Sequence, residues 1–175
     1  MVDFYNNLCY NKCNLWEKNM NIIVNKLSDH INARDYKDLC EQIYYLTDHL
    51  SIDYPKHKEW FFNTHIKGIG FDREVIYITS HRNICGVAFL KRTKEEKKIC
   101  TFYVAEYSRN HGIGNDLLNE CFKYLDTTKP LISMPKYKVR YFLYYVYKYD
   151  WKITQILQEY YNKENDEVVF NGELN

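Results

Sequence analysis

Arg109, Gly112 and Gly114 stand three and two residues apart in the segment Val104-Ala-Glu-Tyr-Ser-Arg109-Asn-His-Gly112-Ile-Gly114. The segment leads out of an apolar, β-branched stretch into one with helical periodicity. At a helix start the first backbone N–H groups have no intrahelical acceptor, and the helix dipole favours negative charge. Glycine lets a ligand come close to that backbone. The chemistry that fits is the binding of a diphosphate, each contact contributing about 0.3–1 kcal/mol. The same spacing also fits a glycine-containing turn ahead of an ordinary helix. There is no GxxxxGK[ST], and no GxGxxG followed by an acidic residue, so the P-loop and Rossmann readings are excluded.

Other chemistry-bearing residues are less informative singly. Tyrosines cluster at 141, 144, 145, 147 and 149, but the chain has 18 in all, and an aromatic core face explains any one of them as well as catalysis does. Cys9 and Cys13 form a CxxxC pair with no neighbouring CxxC or His to complete a zinc set, so no metal is expected. The remaining cysteines, 40, 85, 100 and 121, read as free thiols, Cys85 and Cys100 within apolar runs. No basic flank precedes an apolar N-terminal stretch, and no run reaches the roughly 18 apolar residues of a membrane span. The expectation is a cytoplasmic protein without membrane contact. Lysine and arginine number 24 against 23 acidic residues, which argues against nucleic acid as a partner.

Elements must hold the glycine segment in place. Met20–Leu27 reads as a strand; Leu39, Cys40, Ile43, Leu46 and Leu50 mark a helix; Lys56–Ile66 reads as a second helix ended by Gly68 and Gly70. Strands are expected at Glu74–Thr79, Ile84–Leu90 (with Gly86 as a bulge) and Ile99–Val104, the first two joined by a short His81-Arg82-Asn83 hairpin. A helix with Ile113, Leu117, Leu118, Cys121, Phe122 and Leu125 on one face follows, then a strand at Leu131–Met134. Val139–Tyr149 reads as an aromatic helix, and Ile153–Tyr161 and Glu167–Phe170 as closing strands. The order β-α-α-β-β-β-α-β-α-β-β specifies an α+β fold. Its sheet is mixed and mostly antiparallel, with helices on both faces and one right-handed parallel crossover over 99–134.

The spacing Val104-x-x-x-x-Arg109-x-x-Gly112-x-Gly114 resembles the pyrophosphate signature of the GNAT N-acetyltransferase superfamily, V-x-P-x-x-[QR]-x-x-G-x-[GA], with Glu106 where many members carry proline. The similarity runs from Met20 to Gly172, leaving 1–19 as an N-terminal extension and 20–175 as the acetyltransferase domain. The stretches Pro55–Trp60, Glu96–Thr101 and Glu167–Gly172 are similar to those of a bacterial GNAT branch without an assigned substrate.

The resemblance implies acetyl-CoA as cosubstrate and an amine of a small molecule or peptide as acceptor, in a monomer or homodimer. Pantetheine would follow the strand ending at Tyr103 and Val104, which splays from Leu131–Met134. The diphosphate would rest on Arg109, Asn110, His111, Gly112, Ile113 and Gly114, with Asn115 beside it. In many members a tyrosine in a Y-x-x-x-G-[FY] pattern protonates the leaving thiolate. Aligning Asp150-Trp151 with the glycine–aromatic pair puts Val146 at that position, flanked by Tyr145 and Tyr147. An added residue in the following turn would favour Tyr147. The base position used by some members falls on Lys98, which does not match, and no base is assigned. Val146 favours an alternative, a catalytically silent module that binds CoA. A toxin that acetylates aminoacyl-tRNA is disfavoured by the near-neutral charge.

Overall fold

The computed structural model describes residues 21–174, so the expected N-terminal extension and the Cys9/Cys13 pair lie outside the described residues. Seven strands, β1 (Ile22–Lys26), β2 (Arg73–Ser80), β3 (Asn83–Arg92), β4 (Lys97–Val104), β5 (Leu131–Pro135), β6 (Ile153–Asn162) and β7 (Asn165–Phe170), form one sheet. Their spatial order is β1-β2-β3-β4-β5-β7-β6, and every neighbouring pair is antiparallel except β4–β5. Helices α1 (Tyr36–Thr47), α2 (His57–Trp60), α3 (Ile113–Leu125) and α4 (Leu143–Lys148) cover its faces.

Alternation along β2 and β3 divides the core between those faces. Ile76, Ile78, Ala88 and Leu90 join Leu117, Leu118 and Cys121 of α3 on one side. Val75, Tyr77, Val87 and Phe89 join Ile43 and Tyr44 of α1 and Phe61 on the other. Because both faces are covered, these central strands read in sequence as continuous apolar runs rather than as alternating ones.

Local chemistry accounts for several departures from the expected elements. The hairpin between β2 and β3 turns on only two residues, His81 and Arg82, both left-handed (φ 49° and 69°), as a tight turn between twisted strands requires. The bulge expected at Gly86 is carried by Cys85, since Ile78 faces Gly86 while Thr79 faces Ile84. Gly86 has another role: a Cβ there would sit 3.3 Å from Ile113 Cγ2 and 3.3 Å from the Tyr103 carbonyl oxygen, so its absence lets α3 lie against the sheet. The second helix continues past α2 through a wide π turn (Phe61–His65) and a 3-10 turn (Ile66–Gly68). The expected helix over 139–149 is interrupted: Lys136–Tyr141 winds as a 3-10 segment, and α4 begins only at Leu143.

His65 is fully buried among Trp60, Phe61 and Phe89, each ring centroid within 6.5 Å. Its Nε2 lies 3.1 Å from the Glu74 carbonyl oxygen, while Nδ1 has no protein partner. Burial pushes its pKa down to about 3, so the folded chain holds the ring neutral where the unfolded chain, near 6.5, takes up a proton. The stability this gives is fully present above about pH 6.5 and is lost as the pH falls toward 3, at up to about 1.4 kcal/mol per pH unit. Urea unfolding at about pH 7 and pH 5 should show wild type losing about 2 kcal/mol more than His65→Gln between the two conditions. Parallel losses in the two proteins would contradict the assignment.

Candidate active site

β4 and β5 run parallel through only two residue pairs, Lys98↔Leu131 and Ile99↔Ile132. Beyond them the strands part. Phe89 faces Thr101 while Leu90 faces Ile99, so Cys100 is an extra residue in β4 at the point of divergence, and a bulge there bends the strand away from its neighbour. The remainder of β4 pairs only with β3, and Ser133–Pro135 only with β7. Two strand edges are thereby left facing each other across a cleft, with backbone groups available to a ligand. Thr101, Phe102, Ser133, Pro135, Lys138 and Phe142 are among its walls.

At the open end of β4 the chain enters the glycine segment. A 3-10 turn at Glu106–Ser108 is followed by left-handed Asn110 (φ 64°) and Gly112 (φ 82°), and α3 starts at Ile113. Two left-handed residues fold the backbone tightly here, and the first turn of α3 adds donors without intrahelical acceptors. A Cβ on Gly112 would meet nothing within 4 Å, so the approach to this backbone is open. Of three buried side-chain polar atoms without a protein partner among the described residues, two lie here, His111 Nδ1 and Asn115 Oδ1. Open backbone and glycine at a helix start suit an anion.

Arg109 is tied to its own turn. Its Nε donates to the Val104 carbonyl at 3.2 Å, its guanidinium lies 5.8 Å from the Tyr103 ring centroid, and Nη1 is 3.5 Å from Glu106 Oε1. Glu106, which stands where the GNAT signature carries proline, thus engages the cation.

The tyrosines separate clearly. The Tyr147 ring is 79% exposed. Tyr145 instead packs beside Phe102 and Phe142, with centroids 6.3 and 6.2 Å away, and its hydroxyl lies 2.7 Å from where a Cβ on Gly114 would be. It stands between the cleft and the glycine segment. Burial raises its pKa, which keeps the phenol protonated at neutral pH. Val146 packs against the core beneath α3.

A polar cluster closes the other end of the cleft. Asp53, only 3% exposed, accepts from Tyr137 Oη at 2.8 and 2.9 Å and pairs with Lys138 Nζ at 2.5 Å. Next to it Tyr54 Oη donates to Glu167 Oε1 at 3.2 Å, and the Tyr161 ring stacks edge-on against Tyr54 at 5.2 Å. Asn162 Nδ2 donates to the Ile52 carbonyl at 2.9 Å, tying the β6–β7 hairpin to the α1–α2 connection. In the sequence Glu167 is the first residue of an expected closing strand, with nothing beside it to suggest chemistry. The available signal was its place two residues before Val169 in a strand, on the same inward face.

By sequence, no family model and no curated protein matches the chain. Solved structures do. A GNAT family acetyltransferase from Elizabethkingia anophelis with acetyl-CoA bound superposes with a TM-score of 0.60 at 21% identity, over 88% of this chain and 99% of that one. The ribosomal-protein-S18-alanine N-acetyltransferase of Escherichia coli gives 0.61 at 10% identity, over 88% and 96%. The IAA acetyltransferase of Bacillus cereus gives 0.60 at 18% identity, over 87% and 99%. Splayed parallel pair, glycine segment at a helix start and these superpositions agree: the chain has the fold of the GNAT acetyltransferases.

Proposed function

We propose that the protein is an acetyl-CoA-dependent N-acetyltransferase acting on an amine of a small molecule or peptide. The observation that carries this is the cleft between β4 and β5 leading to the open, glycine-containing start of α3, with Tyr145 between them. Acetyl-CoA would supply the activated acetyl group as a thioester. The edge of β4 through Tyr103 and Val104 would hold the pantetheine amides. Arg109, Asn110, His111, Gly112, Ile113 and Gly114 would hold the diphosphate, with Asn115 beside it. Tyr145, protonated and shielded, is placed to give its proton to the departing thiolate. The acceptor amine would enter from the side of Tyr54, Tyr137 and Lys138.

Calorimetry with acetyl-CoA, followed by CoA release with a panel of primary amines, tests the reading. Absence of acetyl-CoA binding would sink it. Tight binding without turnover would instead support the silent CoA-binding module, the reading that Val146 at the usual acid position favours. Assignment to a bacterial branch of undefined acceptor rests on the similar stretches already given, and the amine panel addresses it too.

Glu106 and Arg109 give opposite expectations. Arg109→Ala should weaken acetyl-CoA binding about tenfold, the worth of one charge-assisted hydrogen bond. Glu106→Gln removes a carboxylate beside the anion site and frees Arg109 from an exposed ion pair that itself contributes little, so affinity should rise a few-fold. Calorimetry on the two variants that moved both affinities in one direction would contradict this account of the pair.

A further inference from the structure

We propose that Glu167 is the group that takes the proton from the acceptor amine, by way of a water in the cleft. The inference deepens the acetyl-transfer reading and rests on it. Glu167 faces Pro135 across the β5–β7 ladder, and Pro135, Ser133 and Tyr54 all border the cleft. The hydroxyls of Tyr54 and Ser133 both donate to the Glu167 carboxylate, so it lies one hydroxyl behind the cleft wall. The cleft has a volume of about 60 Å³, room for the few waters a relay needs.

The placement is costly as a purely structural device. Glu167 is 3% exposed, and among the described residues no cation pairs with it, whereas the neighbouring Asp53 has Lys138. A buried carboxylate without an ion-pair partner is expensive, and a glutamine would accept the same two hydroxyl bonds without that cost.

Charged and titratable groups face it from each surrounding element: Tyr54 and Asp53 from the α1–α2 connection, Lys98 from β4 and Tyr161 from β6. Burial is the largest influence and raises Glu167 to about 7; Ser133, Tyr54 and Lys98 pull the other way, and Asp53 adds to the rise. A carboxyl that ionises there can both accept and release a proton at neutral pH.

In the step, the Glu167 carboxylate takes a proton from the substituted ammonium, leaving a neutral amine. The nitrogen lone pair forms the C–N bond to the acetyl carbon as the C–S bond breaks. The thiolate takes the Tyr145 proton, the acylated nitrogen gives up its second proton, by way of water, to the Tyr145 phenolate, and Glu167 releases its own proton to solvent, so that one proton is released per amide formed.

The test uses the full chain with acetyl-CoA and two peptides. One has a free α-amine and no lysine; the other is N-terminally blocked with one lysine. Glu167→Gln should bind acetyl-CoA as wild type does and lose at least about a hundredfold in kcat at neutral pH on each peptide turned over, with rate recovering as the pH rises toward the amine's own pKa. Tyr54→Phe removes a bond that favours the ionised carboxyl, so it should move the ascending limb of kcat/KM to higher pH. Without any acceptor, infrared difference spectra of acetyl-CoA-bound wild type and Glu167→Gln should show a carboxyl titrating between about pH 6 and 8.

A carboxyl that does not titrate there overturns the proposal, as does undiminished turnover in Glu167→Gln. So does an ascending limb that vanishes in His49→Gln, since His49, lowered by burial and by Lys138 and Arg109, is the other proton acceptor nearby. Failure of wild type to bind acetyl-CoA would instead remove the acetyl-transfer reading itself.

Discussion

Gly112→Asp should raise the dissociation constant for acetyl-CoA at least about a hundredfold, close to 3 kcal/mol, while leaving the chain folded. Gly112 is the residue before α3, in the left-handed region with φ 82°, and its missing side chain faces open space. Aspartate is among the residues that tolerate this conformation best, and a carboxylate at a helix start favours the helix. The fold therefore has little to lose. The diphosphate would meet both added bulk and like charge in the position it is proposed to occupy. Gly112→Ala separates the two effects, because it carries the backbone strain without the charge and should retain most of the affinity. Calorimetry on folded Gly112→Asp with affinity unchanged would remove the assignment of this loop to the cofactor.

The second large effect is expected at Tyr145. Tyr145→Phe should lower kcat by about a hundredfold or more with acetyl-CoA affinity intact, whereas Tyr147→Phe should stay near wild type. The difference follows from where the hydroxyls are: that of Tyr147 is in solvent, and that of Tyr145 abuts Gly114 beneath the cleft. Gly114→Ala offers an independent check, since its Cβ would fall 2.7 Å from the Tyr145 hydroxyl and must displace it. Steady-state rates with any amine that wild type acetylates decide the matter. Near-normal turnover in Tyr145→Phe would leave water as the proton donor to the thiolate.

An added residue in the turn before Trp151 favours Tyr147 on register alone, and register carries no account of burial. In the structure Tyr147 is exposed while Tyr145, one step or about 100° around α4, packs beside Phe102 and Phe142. Which face of so short a helix meets the cleft is set by its docking, which no spacing records. The six apolar positions of α3 were legible because a long amphipathic helix on a sheet repeats its own period. The place where β4 and β5 part was legible only through the resemblance, since the Cys100 bulge that bends β4 has no glycine or proline to mark it. Glu167 was hidden in another way. It follows the polar run Lys163–Asp166, and its carboxyl is engaged by Tyr54, 113 residues away.

The two-pair junction between β4 and β5 has a mechanical meaning. The sheet is two blades, β1 to β4 and β5 to β6, riveted at Lys98↔Leu131 and Ile99↔Ile132 and latched at the far end by Asn162 on Ile52. The slot between the blades is the seam where the sheet is thinnest in cross-strand bonds. A ligand that bonded both the β4 and the β5 edge would act as a missing rung. By mass action it would stabilise the folded domain by RT ln(1 + [L]/Kd) for ligand at concentration [L], and its bonds across the slot would reinforce the two-pair rivet.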